Sequence, residues 1–312
     1  MANDYLKWLS SETPSAFWHD SAVLGEAEAA FADGAVGMTT NPFLINATIN
    51  ADPATWKPLL ADLPADLKGP GRAEEAMRRV TTFLAEKVKP FYDKTDGKQG
   101  YVCAQTNPNK PCDYDLMLEQ ARRYAKWAPN IAVKLPTTAA GVKVFEECAA
   151  EGISVVATVA FTVPQCLAVG EAYKRGVERA RKAGIKPGIG VAVLMVGRLD
   201  DYLKEVWKNE GVVCVPGVLE WAGIAAFKGA YTICRQKKYT TRFLAAAYRN
   251  VMQWAELVGG DMVLTITQTG RKASTGPVST LLRAWTVRST PGSSIPWKSI
   301  SPSSTAPTNR TG

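Results

Sequence analysis

The chain has 312 residues, 46% of them hydrophobic and 21% charged, with a formal net charge of +8. That is enough apolar material for a large core in one domain or two, and its apolar runs are strand-sized, too short to cross a bilayer, so no membrane partner is expected. Six of the eight excess positive charges (Arg271, Lys272, Arg283, Arg288, Lys298 and Arg310) fall beyond Gln268, where there is no Asp or Glu; the body is nearly neutral, which argues against a nucleic-acid groove.

Residues 1–12 carry acids and no apolar signal segment, so a soluble, cytoplasmic protein is expected. Short apolar runs then alternate with amphipathic stretches. Strands are predicted over 16–20, 35–41, 100–105, 130–135, 154–161, 188–196, 242–248 and 262–266. Helical patterns lie between them, at 73–88, 114–127, 141–151 and 163–176. Runs that are apolar on both faces and separated by helices indicate parallel strands covered on both sides. Eight of them predict an α/β fold, a single (β/α)8 TIM barrel. A doubly wound sheet would need a glycine-rich turn after its first strand, and D20-S-A-V-L-G25 is not one.

The six cysteines form no C-x-x-C pair and read as reduced, mostly buried thiols. A single histidine, His19, argues against a His-rich metal site, and no cofactor is expected. The barrel is assigned to residues 1–267. Residues 268–312 read as a basic tail rich in Ser, Thr and Pro, disordered or non-native, with the closing C-terminal helix absent or replaced.

Polar residues recur where the predicted strands end: Asp20, Asn41, Gln105, Lys134, Thr158, Arg198 and Arg249. In a parallel barrel those ends share the face on which active sites form. Singly, each has a plainer reading. Asp20 suits a helix cap, Asn41 a turn, Thr158 a β-former, and the two arginines surface ion pairs. Lys134 lies inside an apolar strand, N130-I-A-V-K-L135, where it snorkels to the strand end, pairs with Asp20, or loses hydration. Desolvation lowers an amine's pKa, and a neutral amine attacks a carbonyl to form a Schiff base. Asp20 is then the general acid/base for the alkoxide proton. Gln105 and Thr158 are placed to bind the water released, and Arg198 and Arg249 suit a phosphate.

Several segments resemble the transaldolase family. G37-M-T-T-N-P-F-L-I45 is similar to its signature turn, and V133-K-L-P-T-T138 to its Schiff-base lysine segment. A157-T-V-A-F-T-V-P-Q165, M195-V-G-R-L199 and A246-A-Y-R-N250 follow in the family's order. The resemblance implies a metal-independent transaldolase of the pentose phosphate pathway. Such an enzyme moves a dihydroxyacetone unit from fructose 6-phosphate or sedoheptulose 7-phosphate to an aldose phosphate. It makes Lys134 the Schiff-base former, Asp20 the acid/base, and Thr158 the holder of the catalytic water. Thr40 and Asn41 become donor-sugar contacts, and Arg198 and Arg249 phosphate ligands. The implied partners are small-molecule sugar phosphates, with a homo-oligomer left open.

Gln105 stands where transaldolases place glutamate and the related fructose 6-phosphate aldolases glutamine. Met195 fills an aromatic position, Val193 one often serine, and Ala247 a serine position. Two other readings remain: an aldolase releasing free dihydroxyacetone, or a barrel without activity acting as a binding protein.

Overall fold

Stretches apolar on both faces need cover on both sides, and seven of them form parallel strands here. They are β1 (Ala16–His19), β2 (Val102–Gln105), β3 (Ile131–Pro136), β4 (Val155–Ala160), β5 (Gly190–Met195), β6 (Arg242–Ala246) and β7 (Met262–Ile266). This computed structural model describes residues 3–215 and 217–289. The strands pair in the order β1-β7-β6-β5-β4-β3-β2 in one curled sheet.

The two edges of the sheet, β1 and β2, both reach the segment 36–39. Met38 forms parallel bridges to His19 and to Val102. The Val36 amide donates to Phe17 at 2.9 Å, and the Met38 amide to Tyr101 at 2.8 Å. The predicted strand over 35–41 is therefore a narrow two-sided bridge and not a regular strand. Gly37 shows why: a Cβ there would sit 2.7 Å from the Trp18 indole, so the chain is pressed onto the interior ring as it passes.

The helices, in chain order, are α1 (Asp4–Glu12), α2 (Leu24–Ala32), α3 (Pro42–Ala51), α4 (Pro53–Leu60), α5 (Gly69–Lys94), α6 (Tyr114–Tyr124) and α7 (Ala139–Ala150). They continue with α8 (Val163–Lys182), α9 (Val196–Glu210), α10 (Ala222–Gln236), α11 (Met252–Ala255), α12 (Gln268–Ala273) and α13 (Pro277–Ser289). Several begin on side-chain caps that satisfy free amides at the helix start. Asn41 accepts from Leu44, and Thr138 from Gly141. Thr162 and Gln165 form a capping box at α8.

Alternation along the strands separates two layers. Trp18, Cys103, Ala132, Val156, Leu244 and Val263 face inward. Val133, Leu135 and Val155 pack outward under the helices on one side, as Phe17, Phe243 and Leu264 do on the other. Cys103, Cys148, Cys166 and Cys234 are buried free thiols, whereas Cys112 is exposed. Among the described residues, no helix is long and apolar enough to cross a membrane.

Residues 268–289, expected to belong to a disordered or non-native tail with the closing helix absent or replaced, instead carry the helices α12 and α13. Thr267 caps α12 through the Gly270 amide, Gly276 turns with φ 64°, and Pro277 opens α13. Asn3 ties the chain ends together: its backbone amide donates to Asp33 at 2.9 Å, and its side chain to the Arg271 carbonyl at 2.8 Å. Asp33 also pairs with the Arg271 guanidinium. The Tyr5 and Thr286 hydroxyls meet at 2.9 Å, and Leu282 packs on the outer core. The Ser/Thr/Pro bias that hid these helices is concentrated beyond residue 289, outside the described residues.

His19 is buried against α2, with neither ring nitrogen hydrogen-bonded and Glu26 3.9 Å away. Burial lowers its pKa from 6.5 to about 4, and the Arg271 charge also lowers it. The unfolded chain therefore binds the extra proton first. Stability is full above the unfolded value and falls as pH drops from 6.5 toward 4. The loss expected by pH 4.5 is about 2.5 kcal/mol. Urea unfolding of wild type and His19→Leu at pH 7.5 and 4.5 checks this: the acid loss should be smaller by that amount in the variant.

Candidate active site

Parallel strands end on one rim, and alternation decides which rim residues point inward. On β3, Val133 and Leu135 belong to the outer layer and Ala132 to the inner, so Lys134 faces the interior. Gln105 of β2 is its register partner and shares that face. Lys134 is half-buried, and no hydrogen bond or ion pair to its ammonium is found among the described residues.

Asp20 follows β1, and its amide continues the ladder by donating to Ile266 at 3.0 Å. The Thr39 hydroxyl donates to its carboxylate at 2.7 Å. Burial raises the Asp20 pKa, against the Lys134 charge and the Thr39 hydrogen bond, which lower it. Burial also pushes the Cys103 thiol up to about 11, again opposed by Lys134. Asp20, Lys134 and Cys103 thus share one electrostatic neighbourhood inside the ring. A carboxyl held above its usual range is a proton donor nearer neutral pH, as acid/base work requires.

Thr158 lies inward on β4 and is nearly fully buried. Its carbonyl accepts from both the amide and the hydroxyl of Thr137, each at 2.7 Å. The register slips between Ala157 and Ala160, and Val159 is turned out with φ 64°. A β-branched residue in that region marks local strain at the rim beside Thr158. The Thr40 hydroxyl donates to the Cys103 carbonyl at 2.5 Å, so its proton is committed to the sheet. The Asn41 side-chain oxygen caps α3 by accepting from the Leu44 amide at 3.0 Å.

The two arginines lie on segments that touch: a Cβ on Gly197 would fall 2.3 Å from the Ala247 carbonyl and 3.0 Å from Arg249 Cγ. Arg198, in the first turn of α9, is exposed, and no ion pair to it is found among the described residues. Arg249 is engaged. Its Nε donates to both carboxylate oxygens of Asp201 at 3.0 Å, and its Nη1 to the Ala247 carbonyl at 2.8 Å. Arg249 thus forms an ion pair at the surface, with Asp201.

Four rim residues escape a strand-end search. Thr39 holds Asp20, and its signal was the T39-T40 doublet beside Asn41. Tyr248 is pushed well above its usual range by burial and by the Asp20 charge, and its hydroxyl donates to the Ala245 carbonyl at 2.5 Å. Asp200 is buried, accepts from the Gly223 amide at 2.7 Å, and also accepts from the Gln253 amide. Asp201 is three residues beyond Arg198 on a helix, a spacing that places both on one side of it. A cleft of about 440 Å³ between α3, α5 and α6 reaches Gln105 from outside. Among the described residues, no group of three or more His, Cys, Asp or Glu is arranged to hold a metal.

Fold and rim define a parallel α/β protein whose polar cluster is built around one inward lysine. Residues 17–274 match the family described as transaldolase/fructose-6-phosphate aldolase, and the chain belongs to that family. It is 31% identical to "Transaldolase 1" of Streptomyces avermitilis over 233 residues, 70% of this chain and 60% of that protein. "Transaldolase" of Acidothermus cellulolyticus is 32% identical over 68% of this chain and 58% of its own length. "Transaldolase 2" of Streptomyces avermitilis is 28% identical over 77% and 71%. The chain thus spans about 60% of the length of the first two relatives.

Gly197→Ala must move residues 247–249, whereas Gly25 in α2 has nothing within 4 Å of its added Cβ. Gly197→Ala should cost about 2 kcal/mol, while Gly25→Ala should be neutral or stabilising by up to about 1 kcal/mol. Denaturant unfolding of the pair checks the contrast; equal effects would remove the close contact between α9 and residues 247–249.

Proposed function

We propose that this protein is a transaldolase that carries a dihydroxyacetone unit on Lys134. What supports the reading most is one juxtaposition: an inward lysine beside a buried carboxyl that feels its charge, in a chain of this family. The Lys134 amine adds to the C2 carbonyl of a ketose phosphate. The carbinolamine then loses water to give an iminium, with Gln105 and Thr158 holding that water. Asp20 takes the proton from the C4 hydroxyl as the C3–C4 bond breaks, and the bonding pair moves toward the iminium nitrogen, leaving an enamine. The aldose phosphate departs. The enamine carbon attacks an acceptor aldehyde, Asp20 returns a proton to the new alkoxide, and hydrolysis of the iminium frees Lys134. Fructose 6-phosphate or sedoheptulose 7-phosphate is the donor. Asn41 binds donor hydroxyls, and Arg198 and Arg249 bind the phosphate.

On this reading the segment 36–39 serves as the eighth strand of a (β/α)8 barrel, and the enzyme works in the pentose phosphate pathway of the cytoplasm. The non-catalytic reading loses its motive, since residues 268–289 are helical and tied to the N-terminus. The aldolase reading keeps one specific support, Gln105. An amide holds a water but cannot take its proton, so protonation of the enamine carbon and hydrolysis of the iminium, which release dihydroxyacetone, follow different proton traffic than a glutamate would give.

Borohydride reduction with fructose 6-phosphate should leave a reduced dihydroxyacetone adduct on Lys134 by peptide mass mapping. Lys134→Ala should abolish it, and an adduct on another lysine would sink the mechanism. Asp20→Asn should keep the adduct with dihydroxyacetone but lower kcat by roughly 10²–10⁴. Product formation with and without an acceptor aldehyde separates the two enzyme readings: a transferase needs the acceptor, while an aldolase releases dihydroxyacetone in its absence.

A further inference from the structure

We propose that Asp201 is an internal anion occupying the phosphate site of this protein, and that it sets how strongly a phosphorylated substrate is held. The proposal rests on the reading of Arg198 and Arg249 as the phosphate ligands.

The hydrogen bonds of Arg249 carry the argument. Its Nε lies 3.0 Å from both carboxylate oxygens of Asp201, and its Nη2 lies 2.5 Å from one of them. The remaining nitrogen donates to the carbonyls of Ala247 at 2.8 Å and Tyr248 at 3.2 Å. Every guanidinium nitrogen therefore has an acceptor, and the two-pronged edge that would grip a phosphate already grips a carboxylate. A phosphate gains that edge only by displacing Asp201.

The backbone is fixed while the side chain can leave. The Arg249 amide donates to the Gln253 side-chain oxygen at 2.5 Å, and the Gln253 amide donates to the buried Asp200. Asp200 in turn accepts from Gly223 at the start of α10. Asp201 has no such anchor: its side chain is 42% exposed, Arg249 is its only hydrogen-bond partner found among the described residues, and the Lys204 charge lies near it. Asp200 thus holds the segment in place, and Asp201 acts as a removable counter-ion. Arg198, Arg249 and Lys204 are the cations of this region, and Asp200, Asp201 and Glu220 its carboxylates, with Lys204 paired to Glu220 at 2.8 Å and Arg249 to Asp201, so an incoming dianion meets a cluster whose charges are already matched. Arg198 is the cation it meets first. Discrimination against unphosphorylated ketoses is correspondingly shallow, because part of the attraction for phosphate is spent on removing Asp201.

The test is a double-mutant cycle read by calorimetric titration with inorganic phosphate. It compares wild type, Asp201→Asn, Arg249→Ala and the double variant. Asp201→Asn should tighten phosphate binding on the order of tenfold. Arg249→Ala should weaken phosphate binding in the wild-type background by uncovering the Asp201 charge, and the double variant should bind no more tightly than wild type, losing the whole gain of Asp201→Asn. Asp201→Ala, which cannot donate to phosphate, should show the same gain and so exclude a new amide contact as its cause. In turnover, KM for fructose 6-phosphate should fall in Asp201→Asn while KM for unphosphorylated fructose stays the same.

Unchanged or weaker phosphate binding in both Asp201 variants overturns the proposal and makes Asp201 a residue that positions Arg249. Failure of the underlying reading looks different. If phosphate binds no variant, or if Arg198→Ala leaves its affinity unchanged in every background, the arginines are not its site. Borohydride trapping of dihydroxyacetone on Lys134 reports on the catalytic reading independently of all these affinities.

Discussion

Parallel pairing is the constraint on which the rest of this structure depends. All seven strands run one way, so their carboxyl ends open on one rim. Alternation then sends Lys134 and Thr158 inward, with Gln105 beside Lys134, over a floor of apolar side chains. A strand shifted by one residue would turn Lys134 into the outer layer among Val133 and Leu135. The register of β3 against β2 and β4 is therefore as much a part of the candidate site as the lysine itself.

The apolar floor also sets the electrostatics. It removes water from Asp20, which raises its pKa, while the neighbouring Lys134 charge and the Thr39 hydroxyl pull the other way. The two groups are coupled without a direct ion pair, and this leaves the amine free of a covering carboxylate. Arg249 shows the opposite arrangement. At the exposed edge of the rim its charge is covered by Asp201, and solvent makes such a pair easier to open than a buried one.

Much of this was legible in the chain. Apolar runs marked seven strands to within a few residues, and the residues at their ends marked the cluster, because burial on both faces and polarity at one end leave a local trace. The segment 35–41 misled because its pairing is supplied by two distant strands and its path by contact of Gly37 with Trp18. The helices over 268–289 were hidden by averaging: one window mixed their Leu, Arg and Ala with the Ser/Thr/Pro stretch that follows. Their anchors, Asn3, Tyr5 and Asp33, are more than two hundred residues away in sequence.

By itself the sequence determined the class of fold, the strand that carries Lys134 and the family, since each depends on local pattern or on ordered motifs. Only the tertiary structure decided the partnerships of charges. It placed Asp20 near Lys134 and under Thr39, and closed Asp201 onto Arg249. Coulomb and hydrogen-bond energies depend on distances of a few ångströms between residues far apart in the chain, and folding alone sets those distances.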